Sequence, residues 1–259
     1  MIELRDASIG YREPIVYASA RFDGKYFLLG PNGSGKTTLF RGISGIAKRF
    51  SGEIIVEGSF PRLSTNLPEI VFVLPSKVID LIDLRSDLMN ADRSDIIEIL
   101  KLLDLEILEK KVYNLSSGEK KGLANAIALG VGAKNILLDE PLEALDPYKK
   151  SKLLEYLDSY EATIILSTHE TFTLEALKNR LVYLIFSGRL YGPFPVEDLL
   201  ECGIVRGSSE EALVTIETPR GKVSLVKGSG KPLTSIYSMD MLYTLRAFYI
   251  NDIIPEEVR

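Results

Sequence analysis

Several residue types are rare or missing in this chain of 259 residues. It contains no glutamine, four methionines and one cysteine, Cys202. A single cysteine cannot form an internal disulfide, which suits a reducing cytosol, and we expect Cys202 to be a small buried apolar residue. Few thermolabile side chains are typical of thermophilic proteins, and a biased genome explains the same composition equally well.

Long hydrophobic runs and an excess of positive charge are lacking too. The longest apolar runs, such as Leu181–Phe186, are far too short to cross a bilayer. The N-terminus has no basic stretch followed by a hydrophobic one, so we expect no signal peptide. The formal net charge of −5 does not favour nucleic acid as a partner. The composition, 46% apolar, is enough for one large core or two modest ones.

A glycine-rich segment, residues 30–38, is the strongest motif of the chain. It follows a short apolar run, Tyr26–Leu29, that predicts a buried strand, and it precedes a segment that can continue as a helix. Strand, glycine-rich turn and helix in this order are the context of a phosphate-binding loop. Its glycines let backbone N–H groups point at phosphates, and Lys36 can reach the β- and γ-phosphates. We therefore expect a nucleoside triphosphate here, with Mg²⁺ on the Thr37 hydroxyl.

Two acids, Asp139 and Glu140, follow a second predicted strand that begins at Asn135. Acids at the carboxyl end of a parallel strand lie where such sheets bind their ligands. Asp139 can therefore hold the Mg²⁺ shell, and Glu140 can accept a proton from an attacking water. The alternative, a pair of solvated acids in a turn, is disfavoured by the phosphate loop upstream.

Two further side chains are singled out by their positions along the chain. His169, the only histidine, follows the predicted strand Thr163–Ser167, where we expect it to abut Asp139 and Glu140. There it could hydrogen-bond the γ-phosphate or the water, and a purely structural histidine is the alternative. Tyr11, upstream of the loop, could stack on a purine or could simply cover the sheet edge.

A turn rich in serine and glycine, Leu115–Glu119, opens another predicted helix. Its N-terminus could receive an anion, although such turns also precede ordinary helices. Upstream, apolar residues recur at helical spacing between Val78 and Leu108, with Asp92 able to cap a helix. Further predicted elements are a strand at Ile70–Leu74, helices at Pro147–Tyr160 and Phe172–Lys178, and a strand at Leu181–Phe186.

These motifs, in this order, resemble the nucleotide-binding subunit of an ATP-binding cassette (ABC) transporter over residues 1 to about 200. Gly30–Thr38 matches the Walker A motif, and Ile136–Glu140 matches Walker B with its catalytic glutamate. Leu115–Glu119 resembles the family signature, normally LSGGQ, and Ala144–Asp146 resembles the D-loop. With Tyr11 and His169, which match two further family motifs, six motifs stand in family order, and this indicates membership rather than coincidence.

The resemblance also implies roles for single residues. Tyr11 matches the aromatic residue that stacks on adenine, His169 matches the switch histidine, and Ser76 stands where the family has the Q-loop glutamine. The candidate catalytic residues are Glu140 and His169, and the candidate metal ligands are Thr37, Asp139 and Ser76. The candidate ATP contacts are Tyr11, Asn32, Gly33, Ser34, Gly35, Lys36, Thr37, Thr38, Ser116, Gly118 and Asp146.

The family mechanism is implied with these residues. Two cassettes, identical or different, dimerise head to tail around two ATP molecules with Mg²⁺. Ser116 and Gly118 of each signature then contact the γ-phosphate held by the partner. Hydrolysis at Glu140 lets the dimer open, and the cycle drives a separate membrane-spanning subunit. The expected location is cytoplasmic, peripheral to the inner face of the cell membrane.

Two positions depart from the family pattern. Serine at position 76 is shorter than the family glutamine and would act through a bridging water. The signature has Ser117 in place of the first glycine and Glu119 in place of glutamine. Both changes fit a chain without glutamine, and a heterodimer with one weakened site is the functional alternative.

The fold class implied is α/β: a phosphate-loop NTPase core of mixed, largely parallel sheet with antiparallel N-terminal strands, an inserted helical subdomain and a small C-terminal β/α tail. The cassette is expected over residues 1–204, with the helical subdomain at about 77–131. Residues 205–259 form the tail, where Glu211–Glu217 and Lys222–Val226 alternate like a hairpin and Leu242–Tyr249 has helical spacing. The tail sequence indicates no function.

The same motifs also occur in proteins with other functions. A soluble, non-transport ABC ATPase, acting in cluster assembly or repair, has the same cassette. A different phosphate-loop enzyme, such as a small-molecule kinase or a GTPase, is disfavoured by the signature, by Glu140 and His169, and by the lack of a guanine-recognition Asn-Lys-x-Asp run.

Overall fold

The computed structural model describes residues 1–72, 77–171, 174, 180–218, 221–236 and 238–243, with residues 242 and 243 described as backbone only. The helices are α1 Lys36–Ile43, α2 Pro68–Val71, α3 Val78–Met89, α4 Arg93–Leu102, α5 Ser117–Gly130, α6 Pro147–Ser159, α7 Val196–Leu200 and α8 Met239–Tyr243. The strands are β1 Ile2–Gly10, β2 Pro14–Phe22, β3 Lys25–Leu29, β4 Lys48–Val56, β5 Ser64–Thr65, β6 Asn135–Leu138, β7 Thr163–Thr168, β8 Leu181–Phe186, β9 Arg189–Pro195, β10 Cys202–Arg206, β11 Ala212–Thr218, β12 Gly221–Lys227 and β13 Lys231–Pro232.

Nine strands form one mixed sheet in the order β4-β1-β2-β9-β8-β3-β7-β6-β5. The strands from β8 to β5 are parallel to one another, whereas β1 pairs antiparallel with both β2 and β4. Strands β3, β6 and β7 are buried along almost their whole length, because helices cover parallel sheets on both faces. The predicted α/β class, with a largely parallel sheet and antiparallel N-terminal strands, is confirmed.

The carboxyl ends of three central strands meet at one edge of this sheet. Leu29 at the end of β3 pairs with Thr168 at the end of β7, so Gly30 and His169 leave the sheet side by side. Strand β6 pairs with the other side of β7, which brings Asp139 to the same edge. Ligands of parallel sheets bind at this edge, so the topology gathers the motifs that the sequence keeps far apart.

The helices between β5 and β6 pack on the parallel part of the sheet. Apolar side chains of α3, α4 and α5 share one buried cluster with those of β3, β6 and β7. The helical run is interrupted at Asn90, whose φ of 52° is left-handed, a conformation that asparagine tolerates. Asp92 then caps α4 by accepting a hydrogen bond from the Ser94 N–H at 2.8 Å, which confirms the expected cap.

One predicted strand is wrong where the structure describes it. Ile70 and Val71, expected to begin a strand, belong to α2, because Pro68 in its first turn has a φ already suited to a helix. Ser76 lies outside the described residues. So do the predicted helix Phe172–Lys178, apart from Leu174, and the part of Leu242–Tyr249 beyond residue 243.

The tail forms a second, antiparallel sheet in the order β11-β12-β10-β13. Strands β11 and β12 pair as the expected hairpin. Cys202 at the start of β10 is buried, as predicted, and Leu233, Ile236 and Met239 are buried in the same apolar cluster as the cassette core. The tail therefore packs against the cassette, while its boundary at residue 205 stays a prediction. Within the described ranges, no helix is both long and apolar enough to span a membrane.

Candidate nucleotide-binding site

An open cavity of about 290 Å³ lies over the glycine-rich loop. It is lined by Ile15, Asn32, Gly33, Gly35, Lys36, Thr37, Thr38 and Glu140. Gly33 and Gly35 have φ of 75° and 112°, a region that disfavours side chains, so the loop can turn its N–H groups inward. No side chain of the described residues caps α1, which leaves the first N–H groups of this helix available to an anion.

Lys36 places a buried positive charge at this cavity. Its Nζ donates hydrogen bonds to the carbonyl oxygens of Gly30 at 2.7 Å and Pro31 at 3.1 Å. It also lies 3.1 Å from Oε1 of Glu140, and its side chain is only 5% exposed. A buried ammonium needs such partners, and a phosphate that enters the cavity offers it stronger ones.

Asp139 and Thr37 form an oxygen pair suited to a hard cation. The Thr37 hydroxyl donates to Oδ2 of Asp139 at 2.6 Å, and the Ser167 hydroxyl donates to Oδ1 of Asp139 at 2.6 Å. The described residues hold no cluster of three or more His, Cys, Asp or Glu side chains that could enclose a metal. Mg²⁺ is commonly held by one or two protein oxygens together with substrate phosphates and water, so this donor set fits it.

Two buried asparagines fix the chain around Asp139. Asn66 Oδ1 accepts the Asp139 N–H at 2.7 Å, and Asn66 Nδ2 donates to Asn125 Oδ1 at 2.8 Å. Asn125 Nδ2 in turn donates to the Pro141 carbonyl at 2.8 Å. Both asparagines are almost fully buried, and the oxygen and nitrogen of each side-chain amide are hydrogen-bonded, so the two residues hold the turn 139–141 in place.

Glu140 lies between Lys36 and His169. Its backbone has a φ of 46°, and its N–H donates to the Ser167 hydroxyl oxygen at 2.9 Å. Its Oε2 is 3.0 Å from Nδ1 of His169, while Oε1 faces Lys36. The expected approach of His169 to Glu140 is therefore present in the structure.

The charges of this group reinforce one another. Burial raises the pKa of Glu140, but the hydrogen bond from His169 and the nearby Lys36 outweigh it and bring the pKa below its ordinary value. The same hydrogen bond raises the pKa of His169, against the opposing effect of burial. Glu140 is thus held as a carboxylate at neutral pH, which is the form that a general base requires.

Tyr11 stands apart from the lining of the cavity. Its hydroxyl oxygen accepts a hydrogen bond from Arg41 at 2.9 Å, and the residue is 45% exposed. Arg41 also donates a hydrogen bond to the carboxylate of Glu69. The bond to Glu69 is the largest of the effects that raise the pKa of Arg41. Tyr11 thus presents an exposed ring fixed by its hydroxyl, and Ile15 is the apolar side chain that reaches the cavity.

The signature segment lies elsewhere on the chain surface. Ser116 caps α5: its hydroxyl oxygen accepts the Glu119 N–H at 3.2 Å, and Glu119 Oε2 accepts the Ser116 N–H at 2.8 Å. This is a capping box, which glutamate and glutamine can both complete. Lys110 contacts Glu119 Oε1 at 2.6 Å and is the main reason why the pKa of Glu119 falls to about 2. Neither Ser116 nor Gly118 lines the cavity over the phosphate loop.

Gly118 and Asp146 have local structural tasks as well. A Cβ atom on Gly118 would lie 2.6 Å from the carbonyl oxygen of Ala144, so only glycine allows the signature helix to approach the D-loop segment this closely. Asp146 caps α6 by accepting the Lys149 N–H at 3.0 Å. Asp146 does not line the cavity, and Ser34, buried with no hydrogen-bond partner for its Oγ among the described residues, does not line it either.

Several residues of this site escaped sequence reasoning. Ser167, which bonds both Asp139 and Glu140, could have been found from the parallel pairing of β6 and β7. Asn66 carries no sequence signal. Asp240 carries none either: it lies 208 residues from Asn32, yet its carboxylate accepts the Asn32 N–H at 2.9 Å.

Comparisons with known proteins agree with this geometry. The family model described as ABC transporter matches residues 19–143. The energy-coupling factor transporter ATP-binding protein EcfA of Methanoculleus marisnigri is 32% identical over 77% of this chain and 80% of its own length. The tungstate uptake system ATP-binding protein TupC of Peptoclostridium acidaminophilum is 32% identical over 69% of this chain and 87% of its own length.

A solved structure extends the similarity to nearly the whole chain. The crystal structure of a proposed cobalt transport ATP-binding protein, cbiO-2, is 35% identical and superposes with a TM-score of 0.84. The match covers 95% of this chain and 100% of the other, so most of the tail is included in it. Identity, coverage and fold agree, and the chain belongs to the family of ATP-binding subunits of ABC transporters.

Proposed function

We propose that this subunit binds Mg²⁺ and ATP over residues 30–38, hydrolyses ATP to ADP and phosphate, and does so in a head-to-tail dimer that drives a separate membrane-spanning subunit. The observation that carries this proposal is the position of Glu140. Its ionised carboxylate lies beside Lys36 and His169, at the sheet edge that also holds Asp139. The proposed proton acceptor Glu140, the proposed phosphate-binding cation Lys36 and the proposed metal ligand Thr37 line one cavity, and Asp139 accepts the hydrogen bond of Thr37.

Binding uses groups that are already in place. The inward N–H groups of the loop and the uncapped start of α1 offer hydrogen bonds to the phosphates. The Lys36 ammonium exchanges its loop carbonyls and Glu140 for phosphate oxygens. This exchange leaves Glu140 free to accept a hydrogen bond from water, so binding of the substrate prepares the base.

The cation would be held by Thr37 and Asp139. Mg²⁺, when bound, neutralises charge on the phosphates and orients them for in-line attack. Ser167 and Asn66 keep the Asp139 carboxylate in one orientation through bonds to its Oδ1 and its N–H. Ser76 is retained as a candidate ligand from the family pattern.

Proton transfer falls to Glu140, with His169 as its orienting partner. Glu140 accepts a proton from the attacking water as the bond to the γ-phosphorus forms, and ADP leaves with the electrons of the broken bond. His169 is fixed against Oε2, so it limits the rotation of the carboxylate and can meet the γ-phosphate itself. Tyr11 supplies an exposed ring for the adenine base.

A second subunit is needed to complete the site. The cavity of about 290 Å³ is small and open for a nucleotide, and the signature residues of the same chain do not line it. Ser116 and Gly118 of a partner subunit would close it from the other side. Lys110 neutralises Glu119 in that turn, so glutamate at this position does not bring an uncompensated charge to the phosphates.

Transport is supported over the soluble alternatives by the relatives. EcfA and TupC are named as ATP-binding proteins of transport systems. In the proposed function this chain supplies the ATPase and a separate subunit spans the membrane. A location at the inner face of the membrane follows from that partnership.

A hydrolysis assay across protein concentration tests this proposal. Wild-type activity per subunit should rise with concentration, as expected when two subunits form each site. Glu140→Gln should reduce the rate by about 10²–10⁴-fold while an ATP-bound dimer accumulates, measured by size exclusion with light scattering. Glu161→Gln, an exposed acid before the amino end of β7, is the control and should leave both readouts unchanged. Near wild-type turnover by Glu140→Gln would remove it as the base.

A further inference from the structure

The tail reaches the phosphate loop through one carboxylate. Oδ1 of Asp240 accepts the backbone N–H of Asn32 at 2.9 Å, and Oδ2 of Asp240 accepts the side-chain amide of Asn32 at 3.2 Å. Asn32 lines the cavity over the glycine-rich loop. An acidic group from the far end of the chain therefore holds a loop N–H group at the edge of the nucleotide site.

Ser238 and Met239, the two residues before Asp240 in the sequence, hold it in position against Asn32. Met239 is fully buried, and its N–H donates to the carbonyl oxygen of His169 at 2.9 Å. Ser238 forms an antiparallel bridge with Glu170, and its hydroxyl donates to Oδ2 of Asp240 at 2.7 Å. The Asp240 N–H donates back to the Ser238 hydroxyl oxygen at 3.1 Å, so the carboxylate is oriented before it meets Asn32.

The chemistry of the contact is that of an anion on a phosphate loop. A carboxylate oxygen on a backbone N–H makes the same charge-assisted hydrogen bond that a phosphate oxygen makes. The segment that carries it is tied to the backbone of His169, which faces Glu140 on its other side. Negative charge at this place favours the empty loop and opposes the entry of a triphosphate.

We propose that Asp240 is a residue of the nucleotide site supplied by the tail, an internal anion that ATP must displace from Asn32. This inference rests on the proposed function, since it concerns affinity for the same ligand. Displacement loosens the segment 238–241. The strength of the Asp240–Asn32 contact therefore sets the nucleotide concentration at which the site is half occupied. The tail thereby acts on the site from within the same chain.

Nucleotide titration of the full chain tests the proposal. Asp240→Asn keeps the shape of the side chain and removes its charge, so its dissociation constant for Mg-ATP should fall about three- to tenfold below that of the wild type. Asp240→Glu keeps the charge and should remain nearer the wild type. Glu210→Gln removes an exposed acid elsewhere in the tail and should change nothing.

Hydrogen exchange supplies an independent readout. The amide N–H of Met239 donates a hydrogen bond to the carbonyl oxygen of His169, so Mg-ATP should accelerate its exchange if the segment is displaced. An unchanged or slower exchange at Met239 would contradict displacement. Equal or weaker Mg-ATP binding by Asp240→Asn would overturn the role of Asp240 and leave the nucleotide site standing. If neither protein binds Mg-ATP, the proposed function fails, and this inference fails with it.

Discussion

Oε2 of Glu140 and Nδ1 of His169 lie 3.0 Å apart, across the ends of two neighbouring parallel strands. Each residue lies within two positions of the end of its strand, so no long loop is needed to bring the two side chains together. The other oxygen of Glu140 faces the buried Lys36. The Glu140 carboxylate is therefore held between the Lys36 ammonium and the His169 ring.

This pair predicts a pH dependence of stability in the nucleotide-free protein. The pKa of His169 is raised above 6.5, so its contribution is fully present below about 6.5 and disappears as pH rises through the folded value. The pKa of Glu140 is lowered below 4.5, so its contribution is present above about 4.5 and is lost as pH falls through the folded value. The wild type should exceed His169→Gln in unfolding free energy most between these pH values. Urea unfolding from pH 4.5 to 9 measures this, and a difference independent of pH would refute it.

Tyr11 offers a test that separates its ring from its hydroxyl. Tyr11→Ala should weaken ATP binding by about 1–3 kcal/mol if the ring stacks on the base. Tyr11→Phe loses only the hydrogen bond from Arg41 and should bind ATP nearly as well as the wild type. Titration calorimetry with ATP and GTP gives the comparison. Equal affinities for both nucleotides before and after Tyr11→Ala would argue against stacking.

Exchange of Glu119 for glutamine should have a small effect, because Glu119 acts within its own turn by completing the capping box with Ser116. Glu119→Gln keeps the capping box with Ser116 and loses the ion pair with Lys110, so the free energy of unfolding should change by less than about 1 kcal/mol. ATP hydrolysis at saturating protein should stay within a few-fold of wild type. Ser116→Ala, which removes the cap, should cost about 1 kcal/mol and serves as the contrast. A collapse of activity in Glu119→Gln alone would instead assign the charge a catalytic part.

Replacing Gly118 by a residue with a side chain should lower the free energy of unfolding through packing. The added Cβ of Gly118→Ala meets the Ala144 carbonyl oxygen at 2.6 Å, so the free energy of unfolding should fall by about 1–3 kcal/mol. Ser117→Ala changes an exposed neighbour at the start of the same helix and should be close to neutral. Denaturant titration of both variants checks the difference. Equal stabilities would show that the D-loop segment yields at little cost.

Much of this protein could be predicted because its motifs are contiguous. The phosphate loop is one strand, one turn and one helix, so its glycines, Lys36 and Thr37 carry their context with them. The Asp92 cap and the β11–β12 hairpin depend on neighbours in sequence and are confirmed. The strand expected at Ile70 failed because its apolar run also suits a helix when Pro68 precedes it.

The sequence by itself determined which chemical groups are present and which turns and strand ends hold them, because short-range sterics and hydrogen bonding act between near neighbours. Only the tertiary structure decided which of those groups meet. The order of the strands sets Glu140 against His169, the burial of Asn66 fixes Asp139, and the packing of the tail carries Asp240 to Asn32. Such contacts follow from the burial of whole elements against one another, and no local pattern encodes them.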